Sequence, residues 1–179
     1  METQVNGSAR ITPRGSGIRF GLIGAVVMIA YLLILNVTGL KSTGGVWTWL
    51  GYVITAFVIF FAHRYYKENG DGFMSYGQGI GIAFWIGLVS GVISSIFQYL
   101  YIKFIDTGFL DVIKERQIEE MQQQGLSDEQ IDKAVEIWSM FMSPEALLIF
   151  MVLGSIIAAI IIGLIVTIFT QKNNPEPAF

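Results

Sequence analysis

Acidic side chains recur at helical spacing in the second half of the chain, and they are the first candidates for chemistry. Two rows have members four residues apart, namely Asp111, Glu115 and Glu119, and Asp128, Asp132 and Glu136. Such rows could form a surface for a divalent cation or a basic partner. Calcium sites, however, usually draw their oxygens from a converging loop rather than from a straight helix face. We therefore favour a solvated helix face, with the binding surface as the alternative.

Histidine and cysteine, the usual metal ligands and nucleophiles, are nearly absent. The chain has no cysteine and one histidine, His63. Thiolate catalysis and disulfides are therefore excluded, and a transition-metal site is disfavoured. His63 stands beside Arg64 at the end of an apolar run, and no carboxylate lies within one helical turn before it. We predict that His63 is an anchor at the membrane interface, and that the protein is no enzyme and uses neither a cofactor nor a metal.

Three polar residues, Gln78, Ser94 and Gln98, occur within one long uncharged stretch and form a candidate polar path. The competing interpretation is that they hydrogen-bond across neighbouring helices. No Asp, Glu, Lys, Arg or His occurs in the core of that stretch or of three others like it. Because buried ionisable residues typify proton relays and ion-coupled transport, their lack disfavours a secondary transporter.

The four uncharged stretches predict the elements that must position these residues. They cover about residues 20–40, 46–62, 76–102 and 146–170. Each is near or above the ~20 residues that a membrane-spanning helix needs. Helices are expected rather than barrel strands, because the stretches are apolar on every side. With 53% hydrophobic and 14% charged residues, the chain is predicted to be an all-α integral membrane protein. Its four transmembrane helices form a single domain over residues 18–175.

A cleaved signal peptide is the alternative for the first stretch, since Arg10, Arg14 and Arg19 precede it. The apolar run is longer than a usual signal core, and residues 37–39 form a poor cleavage site. We favour a retained helix.

Basic residues beside the stretches predict the orientation in the membrane. Six of them flank the ends that would face the cytoplasm, namely Arg10, Arg14, Arg19, Arg64, Lys67 and Lys172. The loop between the first two stretches offers only Lys41. By the positive-inside rule, residues 1–17 and 171–179 are cytoplasmic tails, and the long segment after the third stretch is extracytoplasmic.

That extracytoplasmic segment, about residues 106–142, has the pattern of two helices joined by a turn. Gly125 suits the position after a helix, and Ser127 with Gln130 has the spacing of a capping box. Apolar residues then recur at helical spacing as Ile131, Val135, Trp138 and Phe141. We predict an amphipathic helical hairpin whose apolar face docks on the bundle, on the outer leaflet or on another subunit. That subunit would be a second copy of this chain or another membrane protein.

Small residues form strips along two of the stretches. In the third stretch they are Gly79, Ala83, Gly87, Gly91 and Ser95. In the fourth they are Ser155, Ala159 and Gly163. Because small side chains let helix backbones approach in lipid, we predict that these strips are helix-packing seams. A glycine-lined pore or hinge is the alternative.

Five short motifs carry a resemblance to a known family. They are FMSYGQG (73–79), YIKFIDTGFLD (101–111), GLSDEQID (125–132), MSPEA (142–146) and GLIVTIFTQK (163–172). Their order resembles a bacterial family of four-span membrane proteins, the domain of unknown function 4199 family. The resemblance extends over nearly the whole chain after the N-terminal tail. It implies an inner-membrane protein of a Bacteroidota-type bacterium, and it carries over no catalytic residues.

Two classes of function are compatible with these observations. The first hypothesis is a non-enzymatic structural or interaction protein of the inner membrane, whose hairpin mediates assembly. The alternative is a small transporter or channel subunit with a pathway along the third helix. A membrane enzyme ranks third, because no nucleophile, acid–base pair or metal cluster is apparent. The net charge of −3 does not suggest nucleic acid. The predicted partners are the lipid bilayer and, through the hairpin, a protein.

Overall fold

The computed structural model of the protein describes residues 11–38 and 46–174. Within these two ranges the chain forms six helices. They are α1 (Pro13–Thr38), α2 (Val46–Asn69), α3 (Tyr76–Phe104), α4 (Phe109–Gln123), α5 (Asp128–Phe141) and α6 (Pro144–Thr170). The prediction of an all-helical chain is confirmed for the described residues.

Three of the helices have the length and composition of membrane spans, namely α1, α3 and α6. They contain 26, 29 and 27 residues. At about 1.5 Å per residue, each is longer than the ~30 Å hydrocarbon layer of a bilayer. Many of their large apolar side chains are exposed on the surface of the bundle, where lipid would contact them. The chain therefore has the architecture of a helical membrane protein.

α3 is the central helix of the bundle. Its largest interfaces are with α1 and α6, and α2 packs against those same two helices. α1 runs parallel to α3, because Gly17 lies against Trp85 while Gly24, two turns later, lies near Ser90. This arrangement gives α3 two packed faces, one toward α1 and one toward α6.

α6 runs antiparallel to α3. Gly79 at the start of α3 meets Thr167 near the end of α6, and Gly91 meets Ser155. The bundle therefore has two distinct ends. At the tail end, α1 and α3 begin and α2 and α6 finish; at the hairpin end, α3 leads into α4 and α5 leads into α6.

Most buried apolar side chains cluster toward the tail end. One connected core consists of Ile59, Ala62, Tyr66, Met74, Ile82, Ala83 and Ile86. A short backbone pairing closes this end: the Met74 N–H donates to the Lys172 carbonyl at 2.8 Å, and the Lys172 N–H donates to the Met74 carbonyl at 2.9 Å. The loop before α3 and the segment after α6 are thereby joined.

Local signals set where α3 and α6 begin. Ser75 Oγ accepts from the Gln78 N–H, and the Gln78 side chain accepts from the Ser75 N–H, which together form a capping box. Ser143 Oγ accepts from the Ala146 N–H at 3.1 Å, and Pro144 occupies the first position of α6. Each cap satisfies an N–H group that the helix itself leaves without a partner.

α4 and α5 form the hairpin between α3 and α6. Gly125 follows α4 with a φ of 78°, a backbone conformation that favours glycine. Ser127 and Gln130 then form the predicted capping box of α5. α4 packs against α5, and within the described chain neither helix packs extensively on α1, α2, α3 or α6. The hairpin is therefore a separate unit beside the end of the bundle.

Candidate functional site inside the bundle and on its hairpin

Glycines bring the backbones of α3 and α6 into direct contact. A Cβ added at Gly87 would lie 2.6 Å from Ala159 Cβ and 3.0 Å from the Ser155 carbonyl oxygen, and one added at Gly163 would overlap Ala83. Non-bonded atoms do not pack that closely, so a larger residue at either position would force the helices apart.

The structure brings most of the predicted packing residues together along this interface. α3 contributes Gly79, Ala83, Gly87 and Gly91, and α6 contributes Ser155, Ala159, Gly163 and Thr167. Ser95, the last member of the predicted α3 strip, is buried. Ser155 Oγ also lies 3.0 Å from the Gly87 carbonyl oxygen across the interface. That these contacts drive helix association stays a prediction.

His63 lies at the tail end with its side chain completely buried, at 0% exposure. Its Nε2 is 3.0 Å from the Gly79 carbonyl oxygen, and its Nδ1 is 2.7 Å from Thr170 Oγ1. Because a carbonyl oxygen only accepts, Nε2 carries a proton. Nδ1 of a neutral ring then accepts, and the single proton of the Thr170 hydroxyl can be donated either to Nδ1 or to the Val166 carbonyl, which lies 2.9 Å from Oγ1. His63 thus links α2 to α3 and α6. The predicted interfacial anchor is wrong, because the ring is directed into the bundle.

Basic side chains extend this tail-end network. One turn after His63, Lys67 Nζ donates to the Thr170 carbonyl at 2.8 Å. A cation there is favourable, since the last carbonyl groups of a helix carry partial negative charge. Arg19 donates to the Tyr65 hydroxyl at 2.6 Å and so connects α1 to α2. Hydrogen bonds therefore join all four long helices at the tail end.

The sequence pattern does not identify Thr170 as a partner of His63. The available signal is topological: if the second and fourth stretches finish on the same side of a membrane, their last polar side chains lie at a similar depth. That signal predicts how far along the bundle each side chain lies, but it does not predict how either helix is rotated about its own axis. The contact between His63 and Thr170 depends on rotation, which only helix packing specifies.

The hairpin half of α3 contains buried polar atoms without partners. Gln98 is 2% exposed, and neither its Nε2 nor its Oε1 has a hydrogen-bond partner among the described residues. Ser94 Oγ, one turn earlier, is also buried and unpaired. Ser90, another turn earlier, donates to the Ile86 carbonyl at 2.6 Å, as a helical serine commonly does. Elsewhere in the described chain, the buried unpaired atoms are Ser16 Oγ and Asn36 Nδ2.

At the level of Gln98, α6 offers an apolar segment, and Glu145 just before that segment accepts a hydrogen bond from the Tyr99 hydroxyl at 3.2 Å. A Cβ added at Gly91 would lie 3.6 Å from the Val152 carbonyl oxygen, which sets the antiparallel register. Continuing that register by one to two turns places Ser94 and Gln98 beside residues 146–153. Their sequence, ALLIFMVL, contains no strong hydrogen-bonding side chain. The Gln98 amide therefore has no side-chain partner on the helix that α3 packs against most closely.

Gln78, the remaining residue of the predicted polar path, lies far from Ser94 and Gln98. Its side-chain oxygen is 2.8 Å from the Ser75 nitrogen and belongs to the cap of α3. Gln98 lies about 30 Å farther along the helix, and Ile82 and Ile86 between them are buried. The structure thus places Gln78 in a helix cap, apart from Ser94 and Gln98, whose side-chain polar atoms are buried.

The predicted interaction face of α5 is divided by the structure. Ile131 is buried, while Val135 and Trp138 are half-buried. Phe141 is 52% exposed, and its ring centroid lies 6.3 Å from that of Phe150 on α6. Ile137, which the predicted face omits, is more exposed than these four residues. The apolar residues that recur at helical spacing identify the apolar side of α5. Their spacing does not show which of them are covered by contacts within the hairpin itself.

All members of the two acidic rows are exposed. The neighbouring Glu129 forms an ion pair with Lys133, with Oε1 and Nζ 2.6 Å apart. Within the described ranges, no group of three or more His, Asp or Glu residues is placed to hold a metal ion.

The model of a family described as Protein of unknown function (DUF4199) matches residues 19–172, a range that includes α2 to α6 and most of α1. The match confirms the resemblance carried by the five motifs. No curated protein and no solved structure matches the chain.

Proposed function

The chain belongs to the DUF4199 family, and on that premise we propose that it is a non-enzymatic interaction protein of the bacterial inner membrane. In this proposal α1, α2, α3 and α6 span the membrane, and the α4–α5 hairpin binds a second copy or another membrane protein. One observation carries the proposal. The hairpin packs little on its own bundle, and it leaves Val112, Ile137 and Phe141 exposed.

α2 is the proposed fourth span. It contains 24 residues, and residues 46–62 carry no charge. Phe57, Phe60 and Phe61 are exposed on its surface, where contact with lipid would be more favourable than contact with water. α2 also packs against α1 and α6, so a bilayer that surrounds those helices would surround α2 as well.

The basic residues of the tail end support a cytoplasmic location for that end. Arg14 and Arg19 lie at the start of α1, Lys67 lies near the end of α2, and Lys172 follows α6. Short cytoplasmic segments of membrane proteins carry an excess of lysine and arginine. With the tail end in the cytoplasm, the hairpin faces the extracytoplasmic side.

The surface of the hairpin indicates the kind of partner it would bind. Between Lys103 and Glu145 the chain has ten acidic and four basic residues. The exposed apolar residues Ile137 and Phe141 therefore lie within a strongly acidic surrounding. A partner with an apolar patch and a basic rim would match both features, because apolar contact supplies affinity and complementary charge supplies orientation.

Site-specific photocrosslinking in native membranes tests this proposal. A photoreactive residue at Ile137 or Phe141 is expected to capture the same chain each time. The matched control is Leu153, an exposed apolar residue on α6, which should capture no defined protein. Trp138→Glu should abolish capture from Ile137. Equal, diffuse labelling from Ile137 and Leu153 would reject a specific interaction surface.

Sided labelling tests the topology separately. Because the natural chain has no cysteine, one cysteine at Glu129 and, in a second variant, one at Asn173 can be labelled without background. An impermeant thiol reagent added outside sealed cells should label the first variant only. Labelling of both positions from the same side would contradict the proposed orientation.

A second candidate function is a small transporter or channel subunit, and the unpaired polar atoms of Ser94 and Gln98 favour it. Solute flux into proteoliposomes should then disappear with Gln98→Leu. Gln78→Leu is the matched control, because Gln78 serves the cap of α3. Flux that is equally affected by both changes would argue against a pathway at Gln98.

A further inference from the structure

We propose that Ser94 and Gln98 form a binding site for a small uncharged molecule that both donates and accepts hydrogen bonds, of which water is the smallest. The site lies inside the hairpin half of the bundle. It is independent of any partner that the hairpin binds, and it requires no passage of solute across the membrane.

The hydrogen-bonding capacity of the two side chains defines the ligand. The Gln98 amide offers two N–H donors and an acceptor oxygen, and the Ser94 hydroxyl can donate and accept. Three of their atoms, Gln98 Nε2, Gln98 Oε1 and Ser94 Oγ, are buried without partners among the described residues. A buried water typically makes two to four hydrogen bonds, roughly three on average. Residues one turn apart on a helix face the same side, so one small ligand can reach both.

The surroundings favour an uncharged ligand. No Asp, Glu, Lys, Arg or His occurs from 78 to 102 on α3 or from 146 to 170 on α6. A charge in such an environment lacks compensation and is costly within a membrane. A cation would leave the N–H donors of the Gln98 amide unpaired, and an anion would leave its oxygen unpaired. A neutral molecule with both functions matches the whole group.

The site is closed toward the tail end. Ile82 and Ile86 are buried between it and the start of α3, and the contact of Ala83 with Gly163 brings the backbones together at that level. Gln98 lies only about 9 Å from the end of α3 at Phe104. Entry from the hairpin end is therefore the shorter route.

Thiol reactivity provides the test, because thiolates rather than thiols react and thiolates need water. Ser94→Cys introduces a single, nearly isosteric thiol into a chain without cysteine. The control is Ile86→Cys, two turns earlier on α3 and within the apolar core. Methyl methanethiosulfonate is small and enters bilayers, so its rate reports the ionisation of the thiol. Ser94→Cys is expected to react at least about tenfold faster than Ile86→Cys.

A second change shows whether the amide holds the ligand. Adding Gln98→Leu to Ser94→Cys should lower the rate to that of Ile86→Cys. In purified protein, Gln98→Leu should leave the melting temperature unchanged or lower it. If the Gln98 amide instead has neither a ligand nor a hydrogen-bond partner, its replacement by an apolar side chain should stabilise the fold and raise the melting temperature. The proposal is overturned if Ser94→Cys reacts as slowly as Ile86→Cys, if Gln98→Leu leaves the rate unchanged, or if Gln98→Leu raises the melting temperature.

Discussion

The tail end and the hairpin end of the bundle differ in how their buried polar groups are satisfied. At the tail end, His63 bonds to two other helices and Lys67 bonds to the last carbonyl of α6. At the hairpin end, Gln98 and Ser94 lie on the same central helix with no partner in the described chain. The tail end is thereby bonded across its helices, with Ser16 Oγ on α1 also buried there without a partner among the described residues, and the hairpin end keeps the unused hydrogen-bonding capacity of a whole amide.

The difference follows from what α6 offers at each level. Near the tail end α6 carries Thr167 and Thr170, whereas residues 146–153 near the hairpin end are apolar throughout. His63 of α2 therefore finds a partner on α6 at the tail end, whereas Gln98 of α3 finds none on α6 at the hairpin end. Unpaired buried polar groups are costly and need an explanation, so a search for function should begin at the hairpin end.

The largest effect is expected from overpacking α6 near the tail end. Gly163→Val would drive a side chain into Ala83 and should lower the free energy of unfolding by about 3 kcal/mol. Gly154→Val is the counterpart toward the hairpin end, where an added Cβ meets nothing within 4 Å. It should change stability by less than about 0.5 kcal/mol. Detergent-induced unfolding measures both, and equal losses would show that α6 does not pack as described.

The next largest effect compares one kind of change at both ends. His63→Phe removes two interhelix hydrogen bonds and should cost about 2 kcal/mol of unfolding free energy. Gln98→Leu, which removes no bond to a described residue, should cost less than about 1 kcal/mol. The same unfolding assay applies. If Gln98→Leu proves as damaging as His63→Phe, the contrast between the two ends is wrong.

A smaller effect is expected from opening the backbone pairing at the tail end. Lys172→Pro removes the N–H that donates to the Met74 carbonyl, at a cost of about 1.5 kcal/mol. The amide hydrogen of Met74 should then exchange faster with solvent. Lys172→Ala keeps the backbone N–H and tests the side chain alone, whose ammonium lies 5.3 Å from the Phe73 ring centroid. If the Met74 amide exchanges equally fast in Lys172→Pro and Lys172→Ala, the effect comes from loss of the lysine side chain and not from loss of the backbone N–H.

The smallest effect concerns the turn of the hairpin. Gly125→Ala places a side chain at a φ of 78° and should destabilise the hairpin by about 1 kcal/mol. Gly108→Ala, at a φ of −84°, should have little influence. Amide exchange in α5 measures both changes, with exchange in α2 as the internal reference. Loss of protection in α2 as well would mean that the hairpin and the tail end unfold together.

Several features follow from the sequence because their causes are local. Ser127 with Gln130 and Ser143 with Pro144 begin helices in the structure as their spacing predicts, since a cap involves only neighbouring residues. Long uncharged stretches likewise predict helices, because backbone polar groups must pair within the segment when water is absent. The extent of the family match and the positions of the helices agree with this local information.

The roles of individual buried residues depend on the rotation of each helix, which no local pattern contains. His63 and Gln98 are both single polar residues near the ends of apolar stretches. His63 finds a hydroxyl and a carbonyl across its interfaces, and the Gln98 amide has no partner among the described residues. The apolar stripe of α5 is ambiguous for the same reason, because α4 covers part of the stripe and the spacing of its residues does not show which part. Composition and spacing thus specified the helices and their caps. Only packing against neighbouring helices assigned each polar side chain a partner or none, because hydrogen bonds require atoms within about 3 Å of each other.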